Sequence, residues 1–443
     1  AVLTPDLSSF VHRAGAAQAA VAAIGLDERL ERIGHARDAV ARIADDLVDA
    51  AVSEVGIPRR FARRETESAL GLLDALPELA EAIRPRPVPA RSGTTTLEWA
   101  PYGVVLGWHA ANSPLWVPTL VVASALVGGN AVISRPSGRT RATTGLLLGA
   151  LAGPWPDGAV VMVDLPGPRA EPLVWHEGVH AVVAHAGTET CKRQMAALGQ
   201  AYLGGTRMRP YIPEAAGSDA VIIRPGADLE RAARAVALGG FANAGQLCMS
   251  AKRIVVEHAV WERFRPALIA AVGRLVVGAA DDPETDIAPL REGPARMRAR
   301  AALGEALEAG GRIVVGEGER GAHFTPTIVE LPHDARDVAL WRTEMFAPLR
   351  AVIVADGPVD AVALANDTPY GLGAAVFGPA DDIIDHLRAA RVMVDEGPLY
   401  QDAHMVVGGV DDSGIAGARP KVEQLVFARR VHRAAAGGSP HPA

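Results

Sequence analysis

Residues 103–135, GVVLGWHAANSPLWVPTLVVASALVGGNAVISR, contain two short apolar runs, at 104–108 and 131–135, on either side of a stretch with helical character. Further short apolar runs follow at 159–163, 181–185 and 220–224. Strands that alternate with helices in this way are typical of a parallel β-sheet with helices on both faces. The sequence therefore predicts an α/β fold.

One segment of this region also resembles a membrane span. Residues Leu115 to Ile133 carry no charge and approach the roughly 20 apolar residues that a transmembrane helix needs. However, Pro118 lies near the start, and the turn-forming residues at 128–130 precede a β-branched run. A buried helix, a turn and a buried strand explain the segment better, so no membrane association is predicted.

The remaining regions extend the α/β pattern and add two isolated β segments. Residues 28–84 place apolar side chains at helical spacing, and prolines end this region. A second alternating series begins at Asp228, and the segment 211–218, YIPEAAGS, separates the two series. The β-rich segments 92–100 and 420–432 lack other partners and are predicted to pair with each other.

The composition excludes several classes of protein. The 443-residue chain has two cysteines, Cys191 and Cys248, so a disulfide scaffold is excluded and a reducing, cytoplasmic location is expected. The net charge of −7 argues against a nucleic-acid partner, which requires a basic face. The first residues lack a charged segment followed by an apolar run, so no signal peptide is predicted.

Two short motifs match known patterns but lack the required context. The glycines of 316–321, GEGERG, fit a dinucleotide fingerprint, yet no helix follows to receive a pyrophosphate. The segment 176–180, HEGVH, fits a zinc motif, yet Gly178 weakens the helix that must place both histidines on one face. We predict a surface turn and a loop before a strand, and no metal site.

The segment 241–256, FANAGQLCMSAKRIVV, places Cys248 between a Gly-Gln turn and small residues that lead into a strand. A lone cysteine is more often an inert core residue than a nucleophile. This string, however, resembles the nucleophile segment of the aldehyde dehydrogenase superfamily. Other strings that resemble the family occur in the family's order, at 101–105, 112–115, 128–137, 186–188, 214, 344–348, 366–372, 408–409 and 413–414.

The resemblance implies a catalytic set. Cys248 would attack an aldehyde carbonyl, and the side-chain amide of Asn112 with the Cys248 backbone N–H would stabilise the oxyanion. Loss of hydride to a nicotinamide cofactor would give a thioester, for which Glu214 would activate water. The residues expected to bind the cofactor are Arg135, Ser137, Gly138, Arg139, Gly167, Gly187, Thr188, Glu344 and Phe346.

The cofactor strand departs from the family pattern at two positions. Arg135 replaces the usual lysine, and Gly138 replaces a common acidic residue. Without that carboxylate a 2′-phosphate is not repelled, and Arg135 or Arg139 can pair with it. The cofactor is therefore expected to be NAD or NADP, with a slight preference for NADP.

The neighbours of Asn112 and Cys248 suggest an apolar substrate channel with one aromatic wall. We expect this channel to accept a medium-sized apolar or aromatic aldehyde. The residues expected to line it are Ser113, Trp116, Val117, Leu247 and Met249.

Two other functions fit the same residues. In an acylating enzyme, coenzyme A or a carrier thiol replaces water, or the reaction runs backwards as a thioester reduction. Such an enzyme needs no base to activate water, so the presence of Glu214 argues against it. A non-catalytic descendant with a binding or structural role is disfavoured because Asn112, Glu214 and Cys248 are all present.

The resemblance also implies a domain organisation and a homodimer or homotetramer. A Rossmann-like NAD(P)-binding domain is expected at 1–85 and 102–213, a catalytic domain at 214–410, a small β oligomerisation arm at 86–101 and 411–436, and a disordered tail at 437–443.

Overall fold

The computed structural model of the chain describes residues 6–290, 293–321, 323–415 and 421–433. These residues form two α/β units, each around a mainly parallel sheet, and a separate three-stranded antiparallel sheet. The α/β fold class is therefore as predicted.

The first unit contains a five-stranded parallel sheet. Its helices are α1 (Leu7–Ala23), α2 (Leu26–Arg42), α3 (Ala44–Ala50), α4 (Arg59–Leu79), α5 (Trp116–Val127), α6 (Arg141–Ala152), α7 (Gly167–Ala170) and α8 (Thr188–Leu203). Strands β1 (Arg86–Val88) and β2 (Thr94–Pro101) precede this sheet in the chain. The strands of the sheet are β3 (Val104–Trp108), β4 (Ala131–Arg135), β5 (Val160–Met162), β6 (Ala181–His185) and β7 (Tyr211–Glu214). The sheet order is β5-β4-β3-β6-β7.

This strand order creates a switch point between β3 and β6. Chain connections leave the two strands in opposite directions, so a crevice opens at their carboxyl ends. Ligands of open α/β sheets bind in such crevices. Asn112 follows β3 and Gly187 follows β6, so both predicted site residues lie at this edge.

Apolar clusters cover both faces of the first sheet. One cluster joins the strands to α2, α5 and α6, and the other joins them to α1 and α8. The segment 115–133 forms α5, a turn and β4, as predicted. The side chain of Asn130 fixes this turn because it accepts from Gly103 N and donates to Ala125 O and Leu425 O. Within the described ranges, every helix is too short or too polar to cross a bilayer.

The second unit is built on a seven-stranded sheet. Its helices are α9 (Leu229–Phe241), α10 (His258–Gly273), α11 (Gly293–Glu308), α12 (Ala339–Arg342) and α13 (Pro358–Asn366). Its strands are β8 (Asp219–Ile223), β9 (Ala251–Glu257), β10 (Arg312–Val315), β11 (Glu319–Arg320), β12 (His323–Phe324), β13 (Thr327–Glu330), β14 (Leu349–Ala355), β15 (Tyr370–Gly371), β16 (Gly373–Phe377), β17 (Arg391–Val394) and β18 (Val410–Asp411). The order is β10-β13-β14-β9-β8-β16-β17, and the edge strand β10 is antiparallel to β13.

The change from one sheet to the other occurs inside the predicted break at 211–218. Strand β7 ends the first sheet at Glu214, and β8 begins the second at Asp219. Glu214 therefore lies at the carboxyl end of an edge strand, directly before the chain crosses to the second unit.

The third sheet contains the two isolated β segments. Strand β19 (Val426–Arg433) pairs antiparallel with β2, with Val426 opposite Pro101 and Arg433 opposite Thr94. The predicted pairing is confirmed, whereas a role in oligomerisation stays a prediction. Residues 434–443, which include the predicted tail, lie outside the described residues.

Both short motifs adopt the structures predicted for them. Residues 316–318 form a bend, 319–320 form β11 of the β11–β12 hairpin, and Gly321 lies in the hairpin turn, so no helix follows this motif. His176 and His180 lie in a loop, where His176 Nδ1 accepts from Gly178 N and His180 Nδ1 accepts from Val104 N. Across the described part of the chain, no group of three or more His, Cys, Asp or Glu side chains is arranged to hold a metal ion.

Candidate active site

A cavity of about 1150 Å³ extends along the crevice between the two units. Its volume exceeds the roughly 300–1,000 Å³ of a usual small-molecule site, so it has room for more than one ligand. The predicted site residues in its wall are Asn112, Ser113, Trp116, Val117, Arg139, Gly187, Thr188, Glu214, Leu247, Cys248, Met249, Glu344 and Phe346. Residues separated by more than 200 positions thus meet around one space.

The turn that carries Cys248 is held by a buried arginine and contains strained backbone. Arg350 donates to Gly245 O at 3.1 Å and to Ser250 Oγ at 2.9 Å, on either side of the cysteine. Asn243 and Ala244 have positive φ values of 50° and 54°, which non-glycine residues rarely adopt. Strained backbone of this kind persists only where surrounding contacts maintain it, and it is found most often at functional sites.

Charged groups surround the Cys248 thiol. Burial raises the pKa of the thiol to about 11, and the nearby Glu344 carboxylate adds to the increase. Lys252 and Arg391 act in the opposite direction, while Asp219 also raises the pKa. In the free protein the thiol is therefore mostly protonated at neutral pH, and it needs a base or an added positive charge to become nucleophilic.

The turn that follows Glu214 packs against the nucleophile. A Cβ atom at Gly217 would lie 2.5 Å from Cys248 O, so this turn packs directly on the cysteine and requires glycine there. Gly217 N also donates to Glu344 Oε1 at 3.1 Å. Burial raises the pKa of Glu214 to about 8, and Arg391 partly opposes this effect. A carboxyl group with a pKa near working pH is suited to general base catalysis.

The loop that carries Asn112 is fixed from two sides. Asn243 Nδ2, from the segment before the nucleophile, donates to Asn112 O at 3.1 Å. On the other side, Glu65 Oε1 accepts from Ser113 Oγ at 2.5 Å, Leu115 N at 3.0 Å and Trp116 N at 2.9 Å. These bonds satisfy backbone donors at the start of α5 and leave the Asn112 side chain on the cavity wall.

Several features of the first unit fit a dinucleotide. The first turn of α8 opens on the cavity through Gly187 and Thr188, and no side chain caps this helix in the described structure. The N-terminus of a helix attracts phosphate groups. The Arg139 side chain lies in the same wall, so the residues present fit a phosphorylated cofactor.

Four predicted cofactor residues do not line the cavity, namely Arg135, Ser137, Gly138 and Gly167. The predicted contact between Arg135 and a 2′-phosphate stays a prediction, and the packing of this side chain does not favour it. Its buried guanidinium lies 4.2 Å from the Trp108 ring centroid and donates to Leu165 O at 3.4 Å. Cation–π packing therefore orients this side chain into the protein. Of the two arginines predicted to bind the 2′-phosphate, Arg135 and Arg139, it is Arg139 that lines the cavity.

Most of the residues predicted to contact the substrate are apolar, and all of them lie in the cavity wall. Trp116, Val117, Leu247 and Met249 line the cavity, as the sequence predicts. Ser113 also lies in the wall, but its hydroxyl donates to Glu65, so its role is to anchor the loop. The segment 396–407 contributes further apolar and aromatic residues to the cavity wall: Leu399, Tyr400, Val406 and Val407.

Sequence reasoning missed four residues of the site: Glu65, His185, Lys252 and Arg391. Glu65 interrupts the apolar face of a predicted helix, which is a detectable signal for a buried carboxylate. The others occupy strand positions with no distinguishing pattern. His185 lines the cavity opposite Glu214 in the β6–β7 register, and burial lowers its pKa to about 4.

Comparison with known proteins identifies the family. The Aldehyde dehydrogenase family profile matches residues 4–427, which is nearly the whole chain. This chain belongs to the aldehyde dehydrogenase family. The predicted family, fold class and enzyme class, an NAD(P)-dependent oxidoreductase that acts on aldehydes, are therefore confirmed.

Two similar proteins show how far the likeness extends. The NADP(+) succinate-semialdehyde dehydrogenase of Deinococcus radiodurans is 29% identical over 412 residues, which cover 90% of this chain and 84% of that protein. Vanillin dehydrogenase of Pseudomonas fluorescens is 28% identical over 442 residues, which cover 96% and 89% of the two chains.

The fold is also shared with solved structures. The NADP-dependent glyceraldehyde-3-phosphate dehydrogenase from Bacillus halodurans C-125, solved with NADP, matches with a TM-score of 0.89 and 23% identity. The match covers 97% of this chain and 91% of that chain. At this identity the likeness concerns the fold alone.

Proposed function

We propose that this aldehyde dehydrogenase is hydrolytic and converts an aldehyde to its carboxylic acid through a thioester on Cys248. The observation that carries the proposal is the packing of the Glu214 turn on the Cys248 backbone, with both side chains in the wall of one cavity. A base beside the thioester is needed when water is the acceptor, and it is not needed when a thiol is the acceptor.

The reaction begins at Cys248. Its thiol first loses a proton to water, which the positive charge of a bound oxidised nicotinamide would favour, and the thiolate then forms a bond to the carbonyl carbon. The carbonyl oxygen becomes an oxyanion, for which the Asn112 amide and the Cys248 N–H are the proposed donors. A bound nicotinamide ring would accept the hydride that leaves this carbon. Collapse of the oxyanion restores the carbonyl group and produces a thioester on Cys248.

Hydrolysis then releases the acid. Glu214 takes a proton from water as the oxygen attacks the thioester carbon, and the same two donors stabilise the second oxyanion. The carbon–sulfur bond breaks and the Cys248 thiolate is regenerated. The first unit is proposed to hold the cofactor and the second to supply Cys248, following the predicted domain boundary at Glu214.

A medium-sized apolar or aromatic aldehyde is the proposed substrate. The apolar wall of Trp116, Val117, Leu247 and Met249 supports this class, and vanillin dehydrogenase is among the similar proteins. The succinate-semialdehyde dehydrogenase relative points to a charged alternative. Benzaldehyde and succinate semialdehyde are therefore suitable as a matched pair of test substrates.

Product analysis tests the proposed function. The enzyme is incubated with benzaldehyde and NADP, with and without coenzyme A, and the products are separated by chromatography. We expect benzoic acid at the same rate under both conditions. A product that forms only with coenzyme A, as a thioester, would show the acylating reaction instead. The same incubation is repeated with succinate semialdehyde, and no product from either aldehyde would support a non-catalytic role.

We also propose that NADP is preferred over NAD and that Arg139 binds its 2′-phosphate. Charge-assisted hydrogen bonds contribute roughly 1.5–3 kcal/mol, which is about ten- to a hundred-fold in affinity. Arg139→Ala should therefore weaken NADP binding by that factor and leave NAD binding nearly unchanged. Dissociation constants from fluorescence titration measure both effects.

Arg141→Ala is the matched control for this prediction. Arg141 lies two residues away, pairs with Asp164 at 2.6 Å and does not line the cavity. We expect its loss to change neither dissociation constant by much. Tighter binding of NAD by the wild type, together with unchanged constants in Arg139→Ala, would show that this interpretation of the turn is wrong.

The protein is proposed to form a homodimer or homotetramer through the β2–β19 ribbon. Strand β19 lies at the edge of its sheet and most of its side chains are exposed, including Phe427 at 43%. An unprotected edge of this kind would otherwise pair with other chains without control. Sedimentation at micromolar concentration should give one species of dimer or tetramer mass, and a monomer alone would contradict the prediction.

A further inference from the structure

A buried lysine lies directly beneath the nucleophile. Lys252 belongs to β9, and only 1% of it is exposed. Its Nζ atom donates to Leu247 O at 2.6 Å and to Cys248 O at 2.7 Å. The same atom lies 3.9 Å from Glu344 Oε1. One ammonium group thus connects the two carbonyls of the nucleophile turn to a carboxylate of the cavity wall.

Burial of this ammonium group is costly. Removing a charge from water disfavours folding by several kcal/mol unless partners compensate. Burial also lowers the pKa of Lys252 to about 8, although Glu344 acts to raise it. Two carbonyl oxygens and the carboxylates of Glu344 and Asp219 offset this cost only in part, and Arg350 already anchors the same turn from Gly245 and Ser250. A function beyond anchoring would account for a charge at this position.

The bonded atoms indicate that function. The carbonyl of Leu247 and the N–H of Cys248 belong to the same planar peptide group. A charged donor on the carbonyl oxygen draws electron density toward that oxygen, so the N–H of the same group becomes a stronger donor. This N–H is one of the two oxyanion donors in the proposed reaction. The bond from Lys252 to Cys248 O additionally fixes the orientation of the following peptide.

We propose that Lys252 is a positioning residue, which holds the Leu247–Cys248 peptide in place and strengthens its N–H as an oxyanion donor. The inference rests on the proposed function, because it assumes that an oxyanion forms at Cys248. It assigns to Lys252 an effect on the chemical step and not on the binding of aldehyde or cofactor.

The same charge acts on the thiol. The charged groups around Cys248 are the carboxylates of Glu344 and Asp219 and the cations of Lys252 and Arg391. The carboxylates raise the pKa of the thiol and the cations lower it. Loss of the Lys252 charge should therefore make the thiol harder to ionise. This change can be measured without turnover, from the rate of thiol alkylation at neutral pH, where Lys252 is still mostly charged.

Lys252→Met and Lys252→Gln test the proposal. Methionine has a similar length but neither charge nor N–H donors, whereas glutamine keeps a neutral donor. Removal of an oxyanion-hole donor costs about 10²–10³ in kcat, and weakening one should cost less, about ten- to a hundred-fold. We expect Lys252→Met to lose this much kcat with nearly unchanged KM and cofactor affinity, and Lys252→Gln to lose less.

Alkylation by iodoacetamide supplies the second readout. It is measured in a Cys191→Ser background, so that Cys248 is the remaining thiol. Its rate at neutral pH, where Lys252 with its pKa of about 8 is still mostly charged in the wild type, should fall in both Lys252 variants, because both lack the positive charge. If Lys252→Met does not fold, Lys252→Gln alone decides the question through its kcat and its alkylation rate.

Lys421→Met is the matched control. Lys421 is also buried, at 2% exposure, and its Nζ donates to Ala403 O at 2.5 Å and to Met405 O. It does not contact the Cys248 turn, so the alkylation rate at neutral pH should stay at the wild-type value. An unchanged alkylation rate in the Lys252 variants, or an equal loss of kcat in Lys421→Met, would overturn the proposal. Failure of the wild type to oxidise any aldehyde would refute the proposed function, and the alkylation rate would still report the Lys252 charge.

Discussion

Cys248→Ser should abolish turnover, with a loss on the order of 10³-fold or more, and leave cofactor affinity nearly intact. A serine hydroxyl ionises far less readily than a thiol, and burial in this cavity raises the pKa of any acid at the position further. The change removes no side chain from α8, the helix proposed to bind the cofactor phosphates. Steady-state rates and cofactor titrations of the two proteins measure the effect.

Cys191→Ser is the control for this experiment, since it makes the same atomic change in the other cysteine. Cys191 lies in the first turn of α8, is 2% exposed and belongs to the apolar cluster under the first sheet. Cys191 does not line the cavity, and its thiol lies against Ala184 O and Ala186 O, so a bound aldehyde does not reach it. We expect wild-type turnover. Substantial activity in Cys248→Ser, or a collapse in Cys191→Ser, would be incompatible with the mechanism.

Glu214→Gln should slow hydrolysis of the thioester by about 10²–10⁴-fold, the usual contribution of a general base. Glutamine has nearly the same shape but cannot accept the proton of the attacking water. Acylation of Cys248 does not need this proton transfer, so the thioester should accumulate. A burst of reduced cofactor equal to the enzyme concentration, followed by a slow steady state, is the expected result in stopped-flow measurements.

The pH dependence of the wild type gives a second test of Glu214. Burial raises its pKa to about 8, above the ordinary value for a glutamate. The ionised form is the active base, so hydrolysis should increase as the pH rises through about 8 and level off above it. Glu214→Gln should lose this dependence in the deacylation step. A thioester that disappears equally fast in both proteins would exclude Glu214 as the base.

The sequence was sufficient for the fold and for the chemical identity of the candidate site. Apolar runs at strand length, separated by helical periodicity, require a covered parallel sheet because both faces of each strand must be buried. The break at 211–218 and the pairing of 92–100 with 420–432 follow from the same local patterns. Cys248, Glu214 and Asn112 were found because short strings around them resemble one family in the family's order.

The tertiary structure decided which charges act at the site. Arg135 and Arg139 are equivalent in the sequence as phosphate ligands, but only packing shows that Arg135 stacks on Trp108 while Arg139 reaches the cavity. The burial of Glu65 and Lys252 is not predicted by the sequence, because charged residues are usually exposed. Their burial beside the Asn112 loop and the Cys248 turn depends on contacts from distant segments. Local sequence patterns report the periodicity of an element, whereas burial and electrostatic fields arise only when distant elements meet.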